Sequence, residues 1–143
     1  MSVNYILGNS IQSRFKGLGL DSPYKLVLTA RKGIQPKLFY DFADAIKMSE
    51  KSLAGLINLS ARTISNYKEQ QKVLEPVNSE HLLKLIALYQ KGEVLFGNVD
   101  EFNYWLKKPF WNAKETPMDW LVTPGGVDLL IKELEKLAQG YPV

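Results

Sequence analysis

Residues 49–68, reading SEKSLAGLINLSARTISNYK, constrain the fold more than any other stretch of the chain. Ser49 and Ser60 each precede a helix-forming run, and each hydroxyl can accept a bond from a first-turn N–H that has no partner within its own helix. Two caps so placed predict two short helices joined by a tight turn. Leu53, Leu56 and Ile57 recur at helical spacing and face a core, and Ile64 points back into the same core. Ala54 is small enough to let two helices cross closely. Asn58 falls in the turn, where Asn tolerates positive φ better than other non-glycine residues. The pattern is that of a helix-turn-helix, which lays its second helix in the DNA major groove.

The positions left facing outward are Ala61, Arg62, Thr63, Ser65, Asn66 and Lys68, with Tyr67 at one edge. Arg and Lys pair with phosphates or guanine edges, Asn pairs with adenine, and a small Ala or Thr approaches a thymine methyl. The candidate DNA-binding residues are therefore Lys51, Ser60, Ala61, Arg62, Thr63, Ser65, Asn66, Lys68 and Lys72. Among them Lys51, Lys68 and Lys72 supply phosphate attraction, while Arg62, Thr63 and Asn66 read base edges. An ordinary helical hairpin can imitate such a pattern, so the charge distribution matters. Residues 1–72 hold 11 Lys plus Arg against 5 Asp plus Glu, and residues 73–143 hold 7 against 10. A basic amino-terminal half containing the motif suits a polyanion. Chance variation between solvated faces is the bland alternative.

At 143 residues the chain is long enough for one or two small domains with a proper core. No apolar run is long enough to span a bilayer, and the start lacks the basic-then-apolar layout of a secretory signal, so a cytoplasmic location is expected. With no cysteine, disulfides, thiolate zinc sites and cysteine nucleophiles are excluded. The single histidine, His81, has no second His or Cys to make a metal site and reads as structural or surface. No glycine-rich phosphate loop is present, and neither an enzyme nor a cofactor is expected.

Along the chain, residues 1–20 show no sustained periodicity and read as an irregular arm. Ser22 caps a helix that begins at Pro23, runs through Leu26, Val27 and Ala30, and stops at Gly33. Pro36 starts a second helix with Leu38, Phe39, Phe42, Ala43 and Ile46 on one face. After the motif, a loop carrying Pro76 leads to Asn78 or Ser79 as cap of a longer helix over about 80–96, with His81 in its first turn. Gly97 ends that helix, and Asn98 with Glu101 makes a capping box for the next, whose stripe is Phe102, Trp105 and Leu106. Thr116-Pro117 starts a short helical turn, and a last helix presents Val127, Leu130, Ile131, Leu134 and Leu137 before Gly140. No strand-like alternation of useful length occurs, so the fold class is all-α. The expected division is an arm over 1–20, a helix-turn-helix domain over 21–77 and a small helical domain over 78–143.

The succession LFGN at 95–98, WL at 105–106, TPMDWL at 116–121, TPGG at 123–126 and a final helix ending in Gly-Tyr resembles the toxin-binding domain of Xre/MbcA/ParS-type antitoxins. Members of that family often carry an Xre-like helix-turn-helix in front, so the resemblance extends back to about residue 33. It implies a bacterial type II antitoxin whose partner is typically a RES-domain toxin that depletes NAD. NAD is then the toxin's substrate and not a cofactor of this chain. The family's carboxy-terminal tail approaches the toxin's active site, which the resemblance maps onto Gly140 and Tyr141. Operator DNA, the toxin and a second copy of the chain are the implied partners, with no membrane. A stand-alone helix-turn-helix transcription regulator, whose acidic half serves dimerisation or effector binding, is the alternative. Trp105, Trp120 and Leu121 read as core in either case.

Overall fold

A computed structural model describes residues 10–110 and 114–140. Among these the chain is all-helical, in the order α1 (Ile11–Arg14), a 3-10 turn (Lys16–Leu18), α2 (Pro23–Lys32), α3 (Pro36–Ala45), α4 (Glu50–Leu56), α5 (Ala61–Glu69), α6 (Pro76–Phe96), α7 (Val99–Leu106), a 3-10 segment (Pro117–Val122) and α8 (Pro124–Ala138). No helix among the described residues is long and apolar enough to cross a membrane.

The local punctuation follows the sequence closely. Ser22, Ser49, Ser60, Asn98 and Thr123 each cap a helix by accepting from a first-turn N–H. Pro23, Pro36, Pro76, Pro117 and Pro124 open helices, where a missing N–H leaves nothing unpaired. Gly33 and Gly140 end α2 and α8 at positive φ, 83° and 88°.

The axle is α6. Leu82, Leu83, Leu85, Ile86, Leu88 and Tyr89 are all buried, and together they take up most of the circumference of the helix, leaving one side that carries Glu80, Lys84 and Lys91. Helices α1, α2, α7 and α8 pack against it. A run of edge-to-face rings, Phe15–Phe42–Tyr89–Phe102 with centroids 5.0–5.8 Å apart, links α3, α6 and α7 through the core. Burial pushes the Tyr89 hydroxyl well above the ordinary tyrosine range. It donates to Asn103 Oδ1 at 2.6 Å, and Asn103 Nδ2 in turn donates to the Ile46 carbonyl at the end of α3.

Two expectations are corrected. The arm over 1–20 is not irregular where it is described: Ile11 and Phe15 are buried in the common core. The Glu93 carboxylate accepts from the Ile11 and Gln12 N–H groups at 3.0 and 3.3 Å, supplying from α6 the partners that a short first turn lacks. Residues 1–9 lie outside the described part. The long helix begins at Pro76 rather than near residue 80, with Glu75 in the capping position. Asn78 and Ser79, expected as caps, use their side chains for longer-range bonds. Asn78 Nδ2 donates to the Ile57 carbonyl at 2.8 Å. Ser79 Oγ accepts from Ile34 N–H at 3.0 Å and donates to the Leu74 carbonyl at 3.2 Å. The division expected between residues 77 and 78 therefore falls inside the first turn of α6, and one core cluster holds side chains from both sides.

Two glycines allow close approaches. A Cβ on Gly92 would meet the Phe102 ring, and a Cβ on Gly126 would run into the Trp120 backbone carbonyl. A ring can tilt, whereas a carbonyl fixed in a 3-10 segment cannot. Gly126→Ala is therefore expected to destabilise the protein by about 1–3 kcal/mol as overpacking does. A thermal melt with an unshifted midpoint would show that the contact yields freely.

Candidate nucleic-acid interface

The outer surface of α5 is set by what its other side must bury. Ile64 is completely buried, and α5 packs on α3 and α4 through it. The crossing of α4 and α5 is closed by the turn at Ile57–Ser60. Ala54 is fully buried where the two helices meet, and Asn58 adopts φ 64°, the left-handed conformation the turn requires. Leu59 N–H donates to the Ala54 carbonyl at 3.0 Å, and Asn58 Nδ2 reaches the Val122 carbonyl at 3.4 Å.

With Ile64 turned inward, Arg62, Asn66 and Lys68 are exposed, while Ala61, Thr63 and Ser65 are half-buried. Lys51 on α4 and Lys72 after α5 are also exposed. Among the described residues none of Lys51, Arg62, Lys68 and Lys72 is held in an ion pair, so their charge is not neutralised within the chain. Ser60 is occupied by its capping duty: its Oγ accepts from Thr63 N–H at 3.0 Å and lies 2.8 Å from Thr63 Oγ1. The two hydroxyls thus serve each other, and Arg62 and Asn66 are exposed polar groups beside them on α5.

Beside this surface a groove of about 470 Å³ opens between the start of α3 and the end of α5, bounded by Gln35, Lys37, Tyr40, Tyr67, Lys68 and Gln71. The Lys68 ammonium sits 5.2 Å from the centre of the Tyr40 ring. Desolvation, and then the nearby Glu50 carboxylate, raise the Tyr40 hydroxyl above its ordinary range. Lys37 and Gln71 were not singled out from sequence. Lys37 carried only the generic signal of a basic residue near a helix start, and Gln71 takes φ 56° with no glycine to announce it.

The expected toxin-contacting residues fall differently. Gly140 is exposed and terminates α8, its N–H donating to the Leu137 carbonyl at 3.0 Å. Tyr141 lies outside the described residues. Trp105 and Trp120 are half-buried against the core, and Leu121 is fully buried.

His81 ties this region to the carboxy-terminal segment. It is 2% exposed in the second turn of α6, and its Nε2 lies 2.8 Å from the Leu121 carbonyl. A carbonyl only accepts, so Nε2 carries the proton. Burial lowers the imidazole below the ordinary histidine range; the Leu121 carbonyl opposes that shift and the Lys84 ammonium adds to it. Lys84 itself loses solvation, but bonds and charge from Asp128, at 2.8 Å, and from Glu80 outweigh that and raise it. Among the described residues no group of three or more His, Asp and Glu could hold a metal.

Residues 25–87 match the family described as the antitoxin Xre-like helix-turn-helix domain. The match contains α4, α5 and all nine candidate DNA-contacting residues, and residues 88–143 lie beyond it. No curated protein matches the chain significantly.

The depressed His81 gives a pH dependence of definite sign. As pH falls through about 6.5 the unfolded chain takes up a proton at this residue more readily than the folded chain, so the unfolded state binds more protons and stability falls as pH falls. Melting midpoints are expected to drop between pH 7.5 and 5.5. In His81→Gln, which offers an amide donor but does not titrate, the drop is expected to be shallower. Equal slopes in the two proteins would assign the effect to other groups.

Proposed function

We propose that this chain, which carries an antitoxin Xre-like helix-turn-helix domain over residues 25–87, is the antitoxin of a type II toxin–antitoxin pair. It neutralises its cognate toxin by direct binding through the carboxy-terminal part and represses its own operon through α5. The observation that carries the DNA half is the exposed, unpaired set of Arg62, Asn66, Lys68 and Lys72 on and just after a helix locked in place by Ile64. Lys51, Lys68 and Lys72 supply attraction that is independent of sequence and sensitive to salt. Arg62 and Asn66 discriminate bases, with Ala61, Thr63 and Ser65 allowing close approach. The operator-bound form is a homodimer, because such motifs read half-sites about one helical turn apart.

The toxin half rests on the resemblance of residues 95–141 to the toxin-binding domain of Xre/MbcA/ParS-type antitoxins and on the family match in front of it. A RES-type toxin that depletes NAD is the partner this reading names, with Gly140 and Tyr141 entering its active site. The chain itself then has no catalytic task.

Arg62→Ala is expected to lower operator affinity by about 1–3 kcal/mol and to relax preference at one base pair, read by fluorescence anisotropy across a panel of operator variants. Unchanged affinity and preference would remove Arg62 from the interface. Truncation after Leu137 is expected to spare DNA binding and to abolish protection of cells expressing the product of the neighbouring gene. Protection by the truncated chain would take Gly140 and Tyr141 out of the mechanism. No complex with that product, and no rescue, would favour the stand-alone regulator.

A further inference from the structure

Lys68 does not share the outward direction of Arg62 and Asn66. It follows the buried Ile64 by four residues, and residues four apart in a helix lie on one face, so its stem runs back towards α3. Its ammonium sits 5.2 Å from the centre of the Tyr40 ring, on the wall of the groove of about 470 Å³ between the start of α3 and the end of α5. Helix α5 therefore has two polar sides: an outer face with Arg62 and Asn66, and a flank where Lys68 meets a second helix.

The polar side chains on the groove wall are Gln35, Lys37, Tyr40, Tyr67, Lys68 and Gln71. They comprise two amides, two hydroxyls and two ammonium groups, all able to donate, and no carboxylate lines the wall. Among the described residues the side chains of Gln35, Tyr40, Tyr67 and Gln71 make no hydrogen bond. Two carboxylates stand nearby. Asp41 holds Lys37 at 2.8 Å, and Glu50, whose charge reaches Tyr40, does not line the groove. Unbonded donors gathered around one unpaired cation suit an anion with several acceptor oxygens, which is the chemistry of a phosphate.

The position of the groove points to the source of that phosphate. The major groove of DNA is about 12 Å wide and a helix with its side chains about 10–12 Å across, so a helix that reads bases with its outer face has a sugar–phosphate strand along each flank. The flank of α5 that carries Lys68 opens into the groove. We propose that a backbone phosphate of bound DNA sits between α3 and α5, bonded by the Lys68 ammonium, the Tyr40 hydroxyl and the Gln71 amide. Tyr40, which belongs to neither helix of the motif, is then a DNA-binding residue: its ring seats the ammonium and its hydroxyl donates to the phosphate. Such a contact carries no sequence information and fixes how α5 is set against the duplex. The inference rests on the DNA-reading role of α5 proposed above and adds to it a contact which that role does not require.

The test is fluorescence anisotropy of the full chain with two short duplexes, one from the DNA immediately upstream of its own gene and one of random sequence, over a range of salt concentrations. Lys68→Met keeps the stem and removes the charge. It is expected to weaken both duplexes by the same factor and to make the slope of log affinity against log salt shallower by about 0.9. Tyr40→Phe keeps the ring and removes only the hydroxyl, and is expected to weaken both about two- to tenfold with the slope unchanged. Neither substitution removes a hydrogen bond or an ion pair within the described residues, so the fold is retained and the loss reads binding. Wild-type affinity in Tyr40→Phe, or an unchanged salt slope in Lys68→Met, overturns the proposal. If Arg62→Ala still loses operator preference in that case, the DNA-reading role stands and only the part given to the groove falls. A wild-type chain that binds neither duplex overturns both. A melting midpoint raised by a nucleoside monophosphate, and raised less in a Tyr40→Phe chain of unchanged DNA affinity, overturns the proposal by giving the groove to a free phosphate compound.

Discussion

A helix that is apolar around most of its circumference has only a narrow side to show to water, and α6 imposes that condition on everything else. Six of its side chains, Leu82, Leu83, Leu85, Ile86, Leu88 and Tyr89, are 1% exposed or less. At roughly 1.5–3 kcal/mol for each fully buried side chain, they amount to roughly 9–18 kcal/mol of transfer free energy. That is comparable to the whole net stability of a typical domain, about 5–15 kcal/mol. Neither the helices before α6 nor those after it can leave this surface uncovered, so the two parts of the chain fold around one axis.

The polar groups that such a helix carries then become connectors. A buried donor or acceptor without a partner costs about 1–3 kcal/mol, and among the described residues no buried side-chain nitrogen or oxygen is left unpaired. Ser79 bonds the α2–α3 turn and the segment after α5, His81 bonds the Pro117–Val122 segment, and Tyr89 bonds α7. Asn78 adds a bond to Ile57 in the turn of the helix-turn-helix. The position of α5 and that of the carboxy-terminal segment are thus both referred to one helix. Asn58, whose backbone closes that turn, also touches the Val122 carbonyl directly.

Features decided within one turn of helix were legible in the sequence. The caps at Ser22, Ser49, Ser60 and Asn98, the stops at Gly33 and Gly140, and the left-handed Asn58 all depend on neighbours a few residues away. The exposed side of α5 followed from the inward Ile64. What was hidden depended on distant partners. Ile11 and Gln12 donate to Glu93, far along the chain, and nothing near residue 11 announces that carboxylate. Asn78 and Ser79 have the chemistry of caps, and only the fold shows that their side chains are bonded elsewhere, although Pro76 already carried the signal for the true start. The left-handed Lys47 and Gln71 gave no sign, since neither residue type favours that conformation.

The motifs behind the family resemblance turn out to be packing requirements. Gly97 ends α6 at φ 94° and Asn98 caps α7. Leu121 fills the core while its carbonyl holds His81, and Gly126 admits the Trp120 carbonyl. Residues constrained in this way report a fold, because any replacement disturbs a contact inside the molecule. They say little about partners, since the atoms that make them necessary are already satisfied within the chain. Recognition has to come from side chains that the fold leaves unused. Here those are Arg62 and Asn66 on the outer face of α5, and Lys68 with the unbonded Tyr40 and Gln71 along its flank. The first group offers both donors and acceptors, suited to base edges. The second gathers donors around a cation, suited to phosphate.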